Sequence, residues 1–308
     1  MVAPELAAVA AALCWTFSSL TFGLASREVG AVAVNQFRLL AAVPFMIVLH
    51  AVSVGGLWPQ GLEGWRTQWL VVSGIIGIAI GDLGYFYALS LIGPRLSSVL
   101  QASWPAMAML MAWGIAEEDP GLRGLVGLAL TTLGVVAVVA RARDGSSWRP
   151  DITPRLRWLG VLGALVGAFG QAGGMALSRV AMQKGDDLPD GVAPLSATVV
   201  RLLAGTLGVV AISLLQRQAT SFKILLRFGA PLRNALVGTL FGPVIGIFLS
   251  MYATRHATHA GVAAGLMSLT PLFLLPVSWF AYRARITSMA IIGTLLATAG
   301  AIVLVGGG

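Results

Sequence analysis

The sequence places one carboxylate inside a long apolar segment. Asp82 lies just past the middle of WLVVSGIIGIAIGDLGYFYALSLI, residues 69–92, which is long enough to cross a lipid bilayer. A charge at that depth costs about 2.5–3.5 kcal/mol on insertion scales, so an acid is kept there for chemistry or for packing. We expect Asp82 either to meet an amine or a proton in a central cavity, or to bond a neighbouring helix or an intramembrane arginine.

Two arginines occupy equivalent positions in other apolar segments. Arg38 begins the sequence RLLAA and Arg201 begins RLLAG. A long arginine side chain near the end of a membrane helix can extend to the interface, which is one interpretation of both residues. The other is a structural ion pair or a contact with a substrate carboxylate, and Asp82 is then the natural partner. Arg38, Asp82 and Arg201 are the predicted intramembrane charges.

Two prolines also stand at equivalent positions, in LQASWP and LMSLTP. Pro105 kinks a helix and frees a carbonyl one turn back, near Gln101, which is tolerated in a membrane where it faces protein or a wet cavity. Ser268 and Thr270 precede Pro271 in the second copy. The sequence therefore predicts a pair of hinges at Pro105 and Pro271, with a simple packing kink as the alternative for one of them.

Further polar and aromatic side chains lie close to these features. Tyr85 shares a helix face with Asp82, and Trp104 lies one turn from Gln101. Gln171 is an amide within an apolar segment, where it must bond another helix or line a cavity. Trp15 and Ser18 share one face of the first apolar segment.

Several classes of chemistry have no motif in this chain. The sequence contains no GxxxxGK[ST] nucleotide loop, no HExxH metal site and no GxSxG nucleophile elbow. Its single cysteine, Cys14, excludes an intramolecular disulfide and a cysteine-based metal cluster. We therefore expect no enzyme activity, no cofactor and no metal. The net charge of +8 comes from basic residues in loops, which favours lipid headgroups and not nucleic acid as the partner.

The elements that hold these residues are membrane helices. Of the 308 residues, 57% are hydrophobic and 10% are charged, against about 25% charged residues in soluble domains. The fold class is therefore all-α and polytopic. Apolar runs predict ten transmembrane helices, at residues 4–26, 31–53, 67–92, 95–115, 121–140, 157–182, 191–215, 233–255, 258–281 and 286–305.

The two halves of the chain repeat each other. Five short matches keep the same order, among them Arg27 with Arg179 and Gly134 with Gly300. This predicts a first five-helix repeat at 1–143, a polar linker at 144–156 and a second five-helix repeat at 157–308. An odd number of spans inverts the second copy, and such inverted repeats surround the central cavity of many secondary transporters.

The order of these motifs resembles a known family. YALSLIGPRLSSVLQASWP after a Gly-Asp pair, and YATRHATHAGVAAGLMSLTP in the second half, are similar to the drug/metabolite transporter superfamily, in its ten-helix EamA-type branch of amino-acid and metabolite exporters. The resemblance implies a basket-like bundle whose cavity is lined by spans 1, 3, 4, 6, 8 and 9. Carried over to this sequence, it favours cavity positions for Trp15, Ser18, Asp82, Tyr85, Gln101, Trp104, Gln171, Met251, Ser268 and Thr270.

The orientation of the chain stays open at this point. Thirteen Lys and Arg residues fall in loops on one side and five in loops on the other, which predicts both termini outside the cytoplasm. The resemblance implies both termini inside. The sequence also departs from the family pattern, because Arg283 stands where an acid is usual in the second half.

The function expected from these observations is secondary transport. We expect a monomer that exports small amphipathic metabolites, in particular amino acids, across the bacterial inner membrane by alternating access, either coupled to protons or by facilitated diffusion. The alternatives are a transporter of nucleotide sugars or lipid-linked metabolites, which calls for a more basic cavity, and a membrane scaffold that transports nothing.

Overall fold

The computed structural model describes most of the chain, and the described parts are mainly helical. The described residues are 3–59, 62, 64–104, 106–107, 110–111, 121–141, 151–183, 188, 190–218, 220–227, 229–256, 266–267, 269–282 and 288–305. They contain no β-strand. The predicted all-α class is therefore confirmed.

Nine helices cover these residues. They are α1 (Pro4–Val29), α2 (Ala31–Val54), α3 (Trp65–Gln101), α4 (Gly121–Arg141), α5 (Pro154–Met182), α6 (Pro194–Leu215), α7 (Gly229–His256), α8 (Thr270–Tyr282) and α9 (Ser288–Val305), with a short 3-10 helix at Ser221–Arg227. Helices α1, α2, α3, α5, α6 and α7 are long and apolar enough to cross a membrane, and α4 and α9 contain shorter apolar stretches. The chain is thus a multi-pass membrane protein.

Helix α3 contains two of the predicted spans. Gly93 interrupts it with φ 80° and ψ 167°, and Pro94 follows. Only glycine adopts this backbone conformation without strain, so the break is encoded at that residue. The break falls between the predicted third span, 67–92, and the fourth, 95–115. When the two arms of α3 are counted separately, the described helices overlap all ten predicted spans.

Helix packing follows the symmetry of the two repeats. The first span of each half packs against the third span of the other, so α1 contacts α7 and α5 contacts α3. The second spans, α2 and α6, contact each other, as do the fifth spans, α4 and α9. Each contact joins the two halves. This pattern is that of two inverted five-helix repeats, as the sequence predicted.

Glycines allow these helices to approach closely. A Cβ added to Gly84 of α3 would lie 2.7 Å from the carbonyl oxygen of Gly163 in α5. A Cβ on Gly134 of α4 would lie 2.3 Å from the backbone nitrogen of Ala297 in α9. Both distances are shorter than real contacts, so these positions admit no side chain. Backbone approach of this kind holds helices together in lipid, where apolar attraction between them is weak.

Two π-helical segments occupy equivalent places in the halves. They are Ile75–Gly81 within α3 and Leu240–Gly246 within α7. Asp82 directly follows the first segment and Ile247 directly follows the second. Such π turns occur often at functional sites. The sequence analysis did not predict them.

Candidate functional site

A cavity of about 80 Å³ lies between the two halves of the bundle. Residues of α1, α3, α5 and α8 contribute to its wall, together with the turn that follows α3. The lining residues are Trp15, Ser19, Asp82, Tyr85, Ser98, Gln101, Ala102, Trp104, Gln171, Met267, Thr270 and Pro271. Because ligand pockets usually measure about 300–1,000 Å³, a metabolite with an aromatic ring requires these walls to move apart.

Asp82 forms an ion pair with Arg38 at the edge of this cavity. Arg38 Nη2 donates to one carboxylate oxygen, and Arg38 Nε donates to Asn35 Oδ1 at 2.9 Å. The Arg38 side chain is 2% exposed, whereas the Asp82 side chain is 24% exposed. The guanidinium carbon also lies 4.7 Å from the ring centre of Phe86. The cavity therefore contacts the carboxylate, while the arginine is enclosed behind it.

The hydroxyl group of Tyr85 connects three parts of the cavity wall. Its oxygen lies 2.8 Å from Ser19 Oγ and 3.0 Å from Ser98 Oγ, both within hydrogen-bond distance. Ser19 belongs to α1, Tyr85 to the first arm of α3 and Ser98 to the arm after Gly93. These bonds fix the position of the two arms of α3 relative to α1.

Two tryptophans from different elements line the cavity. Trp15 Nε1 donates to Ser250 Oγ at 3.2 Å, which joins α1 to α7. Trp104 is buried in the turn after α3 and also lines the cavity. Aromatic rings in these positions offer flat apolar surface at little entropic cost.

Gln101 presents an amide to the same space. Its Oε1 atom is buried and has no hydrogen-bond partner. Gly167 of α5 leaves room for this atom, because a Cβ there would lie 2.6 Å from it. An amide oxygen without a partner in the protein retains hydrogen-bonding capacity for a ligand.

The start of α8 is attached to α1 by hydrogen bonds. Thr270 Oγ1 donates to the carbonyl of Met267 at 3.0 Å and to that of Ala12 at 3.3 Å. Pro271 is the second residue of α8, where the missing N–H costs no helical hydrogen bond. The hinge at Pro271 stays a prediction. Its counterpart Pro105 lies outside the described residues.

Seven of the ten predicted cavity residues line the cavity: Trp15, Asp82, Tyr85, Gln101, Trp104, Gln171 and Thr270. Two others lie elsewhere. Ser18 is packed against α7, where a Cβ on Gly242 would come within 2.4 Å of its hydroxyl oxygen. Met251 is fully buried beside Arg201. Ser268 lies outside the described part of the chain. That any of the lining residues binds substrate stays a prediction.

Pro271, which was predicted as a hinge, also lines the cavity, and four lining residues were not predicted at all: Ser19, Ser98, Ala102 and Met267. Two of them had a signal in the sequence. Ser98 lies one turn before Gln101 on the same helical face, and Ser19 occupies the position that Gln171 has in the second repeat.

Arg201 is enclosed next to the cavity without being part of its wall. Its side chain is buried, with the residue 4% exposed. Nη1 donates to the carbonyl of Gly174 at 2.8 Å and to Ser178 Oγ, and it lies 3.9 Å from Met251 Sδ. The Nε–H group has no partner. Within the described ranges, no carboxylate lies at ion-pair distance from this guanidinium.

Two inverted helical repeats around a central cavity are the architecture of many secondary transporters. The model of the EamA-like transporter family matches residues 3–140 and 158–306. The chain belongs to this family of transporters.

Two individual proteins are similar to the chain. An uncharacterized transporter of Archaeoglobus fulgidus is 22% identical over 142 residues, which are 46% of this chain. The match spans 50% of that relative, or about half its length. A crystal structure of a further protein superimposes with a TM-score of 0.65 at 18% identity, covering 97% of this chain and 94% of the other. At that identity the likeness concerns the fold alone.

Proposed function

We propose that the protein is a secondary transporter that exports small amphipathic metabolites, in particular amino acids, across the bacterial inner membrane by alternating access. The observation that carries this proposal is the central cavity, because its wall is built by both repeats. If the halves exchange their packing roles, the same cavity opens to the other side of the membrane. Family membership supports transport in general.

The wall of the cavity supports a substrate with an apolar part and a polar end. Trp15, Tyr85 and Trp104 offer aromatic surface for a side chain. Gln101 and Gln171 offer amide groups that both donate and accept hydrogen bonds, as a zwitterion requires. The Asp82 carboxylate lines the cavity with its side chain 24% exposed, so it is available to an ammonium group.

The cavity fits the alternative substrates less well. Nucleotide sugars and lipid-linked metabolites carry phosphates, which are usually bound by Arg or Lys. Among the described lining residues there is no Arg, Lys or His. A scaffold that transports nothing needs neither a polar cavity nor an ion pair at its edge.

The proposal is tested by flux into proteoliposomes that contain the purified protein. Labelled amino acids are compared with and without a pH gradient. We expect saturable uptake of some amino acids, with competition from aromatic ones. A dependence on the gradient would indicate proton coupling, and its absence would indicate facilitated diffusion.

A matched pair of variants connects the flux to the cavity. Trp104→Ala removes a ring that lines it and should reduce flux by about tenfold or more, since aromatic contacts dominate binding sites of this type. Trp158→Ala removes a ring that is 61% exposed on α5 and should leave flux unchanged. No flux of any amino acid from folded protein would contradict the proposed substrate class.

A further inference from the structure

The two intramembrane arginines lie in equivalent sites. Arg38 and Arg201 are matched in the second spans of the repeats. Arg38 stacks over Phe86 at 4.7 Å and lies 5.9 Å from the ring centre of Phe22. It also forms an ion pair with Asp82. The first site thus contains a guanidinium, two rings and a carboxylate.

The residues that contact Arg201 occupy the positions that match those of residues on the helices around Arg38. The match of Arg27 with Arg179 places Phe22 opposite Gly174, and Arg201 donates to the carbonyl of Gly174. The same register places Ser26 opposite Ser178, whose hydroxyl Arg201 also contacts. The match of the tyrosines at 87 and 252 places Phe86 opposite Met251, which lies 3.9 Å from Arg201.

The carboxylate is what the second site lacks. Asp82 directly follows the π segment of α3, and Ile247 directly follows the equivalent π segment of α7. Ile247 is buried, one helical turn before Met251. Among the described residues, Arg201 therefore has carbonyl, hydroxyl and thioether contacts but no acid, and its Nε–H has no hydrogen-bond partner. A buried guanidinium is unfavourable unless an opposite charge pairs with it. The site around Arg201 therefore favours the binding of one anion.

We propose that Arg201 is the binding residue for the carboxylate of a transported small molecule. This assignment rests on the proposed function in one respect, namely that the ligand arrives through the cavity. The carboxylate takes the role that Asp82 has beside Arg38. The ammonium group of a zwitterionic ligand then meets the Asp82 carboxylate. Arg201 and Asp82 thus recognise the two oppositely charged ends of the ligand.

Arg201 lies close enough to the cavity for this role. Gln171 lines the cavity on α5, and Gly174 lies one turn further along the same helix. A Cβ on Gly77 of α3 would lie 3.3 Å from Arg201 Nη2, and Asp82 follows five residues later, about one π turn away. The proposed binding requires the long arginine side chain to rotate past Met251, so that the guanidinium reaches the cavity.

The test is a binding measurement on the purified full chain in detergent. Melting temperature is followed by tryptophan fluorescence in titrations of sodium benzoate and of benzamide, with sodium chloride holding the ionic strength equal. The two probes share a ring and differ only in the carboxylate. We expect benzoate to bind at least tenfold more tightly than benzamide, and Arg201→Gln to reduce this preference to less than twofold.

A second pair of variants decides the matter even if Arg201→Gln does not fold. Ile247→Asp supplies an internal carboxylate at the place of the missing acid, so it should abolish the preference for benzoate. Ile247→Asn has the same shape without the charge and should retain it. Equal binding of both probes by the unmodified protein would overturn the assignment. So would a benzoate preference that survives Ile247→Asp.

The outcome separates this assignment from the proposed function. If amino acids are transported but benzoate is not preferred, the proposed function is supported and the role of Arg201 in carboxylate binding is rejected. A benzoate preference that depends on Arg201, in a protein that transports no amino acid, retains the site and rejects the proposed substrates.

Discussion

Asp82→Asn should destabilise the protein, because it leaves Arg38 enclosed without its anion. Arg38 is 2% exposed and the carboxylate is 24% exposed. Breaking a buried ion pair from one side costs about 3–5 kcal/mol. Asparagine keeps an oxygen that accepts a hydrogen bond, and Phe86 still contacts the guanidinium. We therefore expect a loss of about 2–3 kcal/mol, somewhat below the usual cost of breaking a buried pair.

The change is measured as a melting temperature in detergent. At about 2 °C per kcal/mol for a chain of this length, Asp82→Asn should lower the midpoint by about 5 °C. Asp151→Asn removes an exposed acid just before α5 and should have no effect. The double variant Arg38→Met with Asp82→Leu replaces the pair by apolar groups and should melt close to the unmodified protein. An Asp82→Asn protein that melts like Asp151→Asn would refute the reasoning.

Three further changes test other contacts. Tyr85→Phe removes the hydroxyl shared by two serines and should cost about 1–2 kcal/mol in melting experiments, and no loss would exclude these bonds. Gly134→Ala forces a methyl group onto the backbone of α9 and should cost about 1–3 kcal/mol of folding stability. Gly173→Ala should be tolerated, because no atom lies closer than 3.5 Å to the added methyl group. Equal stability of the two variants would contradict the packing of α4 against α9. Gly93→Ala places a side chain at φ 80° and should cost about 1 kcal/mol or more of folding stability, and a neutral result would contradict the break in α3.

The membrane spans could be predicted from sequence because their length is set by the bilayer. The first span was predicted at 4–26 and the helix covers Pro4–Val29; the second was predicted at 31–53 and the helix covers Ala31–Val54. The break between the third and fourth spans carries its own signal, a glycine followed by a proline. The repeat could be predicted because matched residues keep their order in both halves.

The rotation of each helix about its axis could not be predicted in the same way. In a nearly uniform apolar segment no polar face marks the side that meets the cavity, and the sequence analysis placed Ser18 there and not its neighbour Ser19. The structure places Ser19 at the cavity and Ser18 against α7. The same uncertainty in helix rotation explains Met251, which was predicted at the cavity but is buried beside Arg201. The π segments could not be predicted, because a uniformly apolar sequence looks the same whether the helix has 3.6 residues per turn or more.

The most direct measurement asks whether substrate passes through the cavity. Cys14, the single cysteine, is replaced by serine, and a cysteine is introduced by Gln171→Cys or by Phe169→Cys on the same helix. Gln171 lines the cavity, whereas Phe169 is 51% exposed on the outer surface. A charged methanethiosulfonate reagent should stop amino-acid flux in the Gln171→Cys protein, with protection by substrate, and leave the Phe169→Cys protein active. Undiminished flux after complete labelling of the Gln171→Cys protein would contradict transport through this cavity.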